Sequence, residues 1–193
     1  MKRLFSLCIV AAMCACVNAQ KSKPFLKTID SFSFYGVDYS HVTVHAATES
    51  PAKFREAFVA INKLLLVEAN KYDVSKFARK PVTLSEVIGV CELAEQMADS
   101  FITFSAIRML TDAEVEQAVQ TLPVKSGSGV GMVMVAELLD KPQKRGVFRA
   151  VFFDTETRKV LCSRRIEGEA GGFGLRNYWA NSVREAMHDL KRI

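Results

Sequence analysis

Cysteine and histidine, the residues of soft-metal and redox chemistry, are scarce in most of this chain. Three of its five cysteines, Cys8, Cys14 and Cys16, fall within the first sixteen residues, which leaves Cys91 and Cys162 for the rest. Two cysteines cannot supply the three or four thiolates of a cysteine metal cluster. Long apolar runs are missing as well. The longest, residues 4–17, is broken by Ser6 and falls short of the roughly 20 residues that span a bilayer. Ten glycines and five prolines without any repeat exclude a collagen-like or low-complexity chain, and 49% hydrophobic residues exclude wholesale disorder. G-x-S-x-G, H-E-x-x-H, Walker and G-x-G-x-x-G signatures are all missing. Carboxylate pairs exist at Asp38 with Glu49 and at Glu167 with Glu169, but no motif joins either pair to a substrate. The chain is therefore read as a non-enzyme, with no catalytic, cofactor-binding or metal residues assigned.

What the sequence does have begins with an export signal. Lys2 and Arg3 precede the apolar run, and Val17-Asn18-Ala19 offers a cleavage site before Gln20, so residues 1–19 read as a secretory signal peptide. A rival route is lipidation at Cys16 after Met13-Cys14-Ala15, the one circumstance in which membrane association is expected. The chain is expected to be exported and periplasmic, outer-membrane-associated or secreted. In such an oxidising setting a Cys91–Cys162 disulfide would contribute about 4 kcal/mol on the chain-entropy model. Cys91 lies on an apolar stripe with Leu84, Val87 and Ile88, which favours two free thiols instead.

Residues 20–30 lack a sustained period and read as a flexible lead-in to one domain over 31–193. Phe32, Phe34 and Val37 mark a short strand, and residues 42–44 a second. Ser50-Pro51 opens a helix carrying Phe54, Phe58, Ile61 and Leu65 on one face. Thr83-Leu84-Ser85-Glu86 and Thr111-Asp112-Ala113-Glu114 both have capping-box spacing, predicting helices to about residues 97 and 122. Residues 101–104 read as a short extended piece and Ser126-Gly127-Ser128-Gly129 as a link. A central strand at 130–138 then leads into a hairpin of 146–154 and 158–167. Leu175, Trp179, Val183, Met187 and Leu190 mark a closing amphipathic helix. Strands, then helices, then strands and a last helix predict a single α+β domain, with a mixed or antiparallel sheet and a C-terminal β-hairpin followed by the amphipathic helix.

The hairpin turn D-T-E-T-R-K-V before that helix loosely resembles the end of envelope-assembly modules such as CsgG, LpoB and the N-terminal domain of TolB. Their D-x-x-T-G-x-V pattern has glycine where Arg158 stands here. Y-G-V-D-Y-S-H-V at 35–42, the helix around 54–65 and E-G-E-A-G-G-F-G-L-R-N-Y-W-A at 167–180 resemble an uncharacterised family of small exported proteins of Bacteroides-type bacteria. That resemblance implies compartment and one-domain architecture, and no site residue.

Two surfaces are candidates for partner or anion contact. Gly172, Gly174, Arg176 and Asn177 place free N–H groups and a cation at a helix start, although a tight turn with Phe173 and Trp179 packed into the core explains the same residues. Residues 141–165 hold eight basic side chains against two acidic ones, while the chain beyond residue 19 totals only +3. Arg149, Arg158, Lys159, Arg164 and Arg165 are the contacts expected of this basic hairpin. Its structural explanation is a solvated sheet edge that discourages strand pairing. His41 and His45, four apart in a strand and thus about 13 Å from one another, cannot share an ion. The function expected is binding another macromolecule, an envelope protein or acidic envelope component and not nucleic acid. The alternative is a small apolar ligand or lipid held among Phe54, Phe58, Met132 and Met134.

Overall fold

Alternating Phe32 and Phe34, both buried, begin β1 (Phe32–Asp38) in a computed structural model that describes residues 24–124 and 127–193. The expected signal peptide with Cys16, residues 20–23 of the expected lead-in and Ser126 of the expected link lie outside the described residues. Within the expected lead-in, Phe25–Lys27 forms a 3-10 turn whose Leu26 is buried and donates its N–H to the carbonyl of Ile193.

The organising strand is β5 (Val130–Asp140), buried along nearly its whole length on both faces, as the apolar run 130–136 requires; Glu137 and Asp140 are buried with it. It runs parallel to β1 over residues 131–135 and parallel to β2 (Thr43–His45) over residues 138–140. Outside β1 lies β3 (Val82–Ser85), and outside β2 lies β4 (Ile102–Thr103), both parallel. On the opposite side of β5, β6 (Arg145–Asp154) and β7 (Val160–Glu169) add antiparallel, completing a seven-stranded sheet.

Helices cover both faces. Residues of α1 (Pro51–Val67), α2 (Val74–Ala78) and α5 (Leu175–Met187) join one cluster with Phe32, Phe34, Met132, Met134 and Phe152. Residues of α3 (Ile88–Glu95) and α4 (Asp112–Thr121) join a second with Tyr35, Val133, Val135, Val151 and Phe153. The alternating parity of β1, β5 and β6 between the two clusters separates the faces of the sheet.

The expected α+β class with a mixed or antiparallel sheet is thereby corrected: the fold is α/β, with a core of parallel pairings and helices in the crossovers. One cause is local. Thr83-Leu84-Ser85-Glu86, read as a helix cap, is instead strand β3, because the Thr83 hydroxyl donates to the carbonyl of Phe32 and meets Ser33 Oγ at 3.2 Å. The helix begins later, at Ile88, and Leu84 and Ile88 are exposed, so the stripe proposed for Cys91 keeps only Val87. The other cause is pairing: β1 and β2 do not join each other but take separate stretches of β5.

Two local predictions have the geometry that their spacing implies. Ser50 caps α1 by accepting from Lys53 N–H, and Thr111 and Glu114 form a reciprocal capping box on α4. The Arg108 guanidinium, followed by the Thr111 donors, holds the Glu114 carboxyl down to about 2. Close approach of α5 to the sheet requires Gly168, where a Cβ would sit 1.9 Å from the Ser182 carbonyl oxygen.

Candidate functional site

The hairpin turn is held by Asp154, whose Oδ1 accepts from Thr157 N–H at 2.7 Å and Thr157 Oγ1 at 2.8 Å; these bonds keep its carboxyl below the usual range. Arg158 follows at φ +61°, the left-handed conformation that glycine adopts at least cost. Its side chain has structural work to offset that strain: the guanidinium donates to the carbonyls of Leu122 and Val124, fastening the end of α4 to the hairpin.

Most of the remaining basic charge is likewise committed. Arg149 and Arg165 face each other in register across β6 and β7, a like-charge pair that would repel. Fully buried Glu137, at the bulge of β5, lies between them, accepting from Arg149 Nε at 3.0 Å and from Arg165 through both of its oxygens. Arg149 also reaches Asp112 at 3.0 Å and the Leu110 carbonyl, so the same cation ties down the start of α4. Lys141 bonds Glu49 at 2.7 Å and lies 5.4 Å from the Tyr178 ring centroid. Arg145 pairs with Glu167, and Arg164 donates to the Arg192 carbonyl at 2.8 Å. Among the described residues, of the five contacts expected on the basic hairpin only Lys159 has a side chain without a hydrogen-bonded or ionic partner.

The glycines form the tight turn, with only one of the two packings expected for it. Gly172 and Gly174 have φ of +109° and +80°, as a tight strand-to-helix turn demands, and Gly174 caps α5. Trp179 is fully buried, but Phe173 is 96% exposed and not packed into the core. Gly171 N–H donates to the Tyr178 carbonyl, Tyr178 N–H to the Gly174 carbonyl, and Asn181 Nδ2 to the Glu169 carbonyl at 3.0 Å, so the tip is braced from behind. Exposed Arg176 stands beside it, its Nε bonded to Asn177 Oδ1.

The glycine turn follows β7 at the carboxyl ends of parallel strands β2, β4 and β5, the place where open α/β sheets most often hold ligands, whereas the hairpin turn at Asp154 lies at the opposite end of β5. In one rank across adjacent strands stand Thr103, His45, Asp140, Arg145 and Glu169. His45 Nδ1 is 3.1 Å from Asp140 Oδ1, and the buried Asp140 carboxylate is 3.7 Å from Arg145 Nε. No sequence motif signals the His45–Asp140 pair, since its members are 95 positions apart. His41 precedes β2, outside the strand on which its spacing from His45 was judged.

The pocket imagined among Phe54, Phe58, Met132 and Met134 is filled. All four are fully buried in one cluster, with Tyr39 stacked on Phe58 at 4.0 Å and Phe54 5.7 Å from Phe58. No protein-family model matches the chain, and no curated protein matches it.

Proposed function

We propose that the chain is an exported, non-catalytic protein of the cell envelope that binds another macromolecule through the turn at Gly171–Asn177. The observation that carries this reading is Phe173, a large apolar side chain almost wholly in solvent at a tip held by glycines, with Arg176 beside it. An aromatic anchor next to an arginine is the composition of an interface hot spot and fits a partner surface with an apolar socket and an acidic rim. That partner is an envelope protein or an acidic envelope component rather than nucleic acid, in keeping with the export signal. The committed arginines of the hairpin shift the weight from charge attraction to this turn. A small-ligand role has less support, because the side chains that would line its pocket fill the core.

The experiment is photo-cross-linking from position 173 in the exporting cell. A discrete adduct is expected from position 173, and Arg176→Glu should diminish it. An adduct pattern no different from that at exposed Glu56 on α1 would refute the assignment.

A further inference from the structure

Strand β7 leaves a long sheet edge open. The bond from Ala170 N–H to the Lys144 carbonyl at 2.7 Å extends the β6–β7 ladder and sets its phase. In an antiparallel ladder successive residues turn their peptide groups alternately toward and away from the neighbouring strand. Ile166, Arg164 and Cys162 therefore face β6, whereas Ser163, Arg165 and Glu167 turn their N–H and C=O outward. The Glu169 carbonyl, of the same outward parity, is taken by Asn181 Nδ2, which agrees with this phase. Among the described residues, Ser163, Arg165 and Glu167 have no backbone partner on that side. The outer strands β3 and β4 are only four and two residues long; β7 has ten and no proline, so it lacks two of the usual protections of an edge.

Beside the first half of this edge runs a groove of about 460 Å³ lined by Phe25, Leu161, Ser163, Arg164, Arg192 and Ile193. Leu161 is 44% exposed there, and Ser163 Oγ is buried without a hydrogen-bond partner among the described residues. Arg192 is paired with Asp189, while Arg164 spends only Nη1 on the Arg192 carbonyl and keeps its other donors without a partner among the described residues. Apolar floor, this one cation and outward peptide groups together describe a seat for an extended chain. We propose that β7 accepts, as an added strand, an extended segment of a partner protein that carries an apolar side chain for this groove and a carboxylate for Arg164.

A second copy of the chain fits the edge poorly. The α5 backbone lies directly over β7 at Gly168. Adjacent strands sit about 4.8 Å apart, whereas packed helices need about 8–10 Å between axes, so joining two β7 edges would drive α5 against its copy. A lone strand meets no such obstacle. This edge is a different surface from the turn at Phe173, and its occupancy does not depend on what that turn binds.

The test is selection from a displayed library of random nonapeptides on the chain purified from the exporting cell. Enriched peptides should alternate apolar residues with at least one acidic residue. Ser163→Pro should weaken their binding about tenfold or more, because the lost N–H points outward and contributes nothing to β6. Arg164→Glu, a change at an exposed side chain, serves as the second variant and should weaken acidic peptides about tenfold while leaving the melting temperature unchanged. Phe173→Ala should leave peptide binding intact, which separates this edge from the turn. Peptides lacking the alternating pattern, binding indifferent to both β7 variants, or a concentration-dependent dimer abolished by Arg164→Glu would each overturn the proposal.

Discussion

Asp38 is 1% exposed, with one carboxylate oxygen hydrogen-bonded to Ser40 N–H and the other buried and without a partner among the described residues. Burial raises its pKa, against the lowering effect of the bonds from Ser40 and the nearby His41. The folded chain thus holds this proton to higher pH than the unfolded chain, whose carboxyl titrates near about 3.9. It follows that Asp38 costs stability as the pH rises from about 4 through the folded value. Asp38→Asn should gain stability relative to the wild type between pH 4 and pH 7 in urea unfolding; a difference that stays constant across that range would count against the assignment. Asn62 is the other residue whose role only the structure reveals. It sits on the buried stripe of α1, four residues after Phe58, and its amide bonds both Val37 N–H and the Val37 carbonyl at 2.8 Å where β1 breaks register with β5. A polar residue on an apolar stripe was the available signal; the strand it serves lies 25 residues away.

The arginines of β6 and β7 act as fasteners between elements. Glu137, Arg149 and Arg165 join three strands to the loop before α4, and the carboxylate at their centre is fully buried. Removing one partner of a buried ion pair typically costs about 3–5 kcal/mol, while replacing the whole group by apolar residues is often close to neutral. Arg149→Met should therefore destabilise by about 3 kcal/mol, the low end because Arg165 remains. Adding Glu137→Leu should recover most of that loss, because it removes the buried carboxylate and the remaining Arg165 side chain is 40% exposed and can stay in water. Urea midpoints of the two single variants and the double variant measure the coupling, and strictly additive losses would show that the group is not a unit. Element identity was only partly legible for a related reason. The capping box at Thr111 forms because nothing else claims its hydroxyl, whereas the same spacing at Thr83 yields to pairing with β1. Periodicity foresaw α1, α5 and the hairpin, all of which depend on neighbours within a few residues.

Across the whole molecule, the sheet separates features that composition lumps together. Cys91 packs in the cluster beneath α3 and α4, and Cys162 packs against the cluster on the opposite face; both are free thiols. Burial raises the pKa of each, so neither is primed as a nucleophile. Protein from the exporting cell should label at Cys91 and Cys162 once denatured without reductant, and its melting temperature should not move when reductant is added. Failure of both positions to label would indicate a bridge and a different packing of the sheet.

By itself the sequence determined the capped beginnings of α1 and α4, the apolar face of α5 and the strands of the terminal hairpin, because each is set by backbone chemistry within a turn or two. Only the tertiary structure decided that four short strands align parallel around β5, that His45 meets Asp140 and that Arg149 and Arg165 of the basic hairpin close on buried Glu137. Such outcomes depend on burial and charge pairing between residues 12 to 95 positions apart, which no local pattern encodes. The same competition left Phe173 in water: Trp179 and Val183 already occupy the core beneath α5, and the glycines around Phe173 permit a turn that carries it outward.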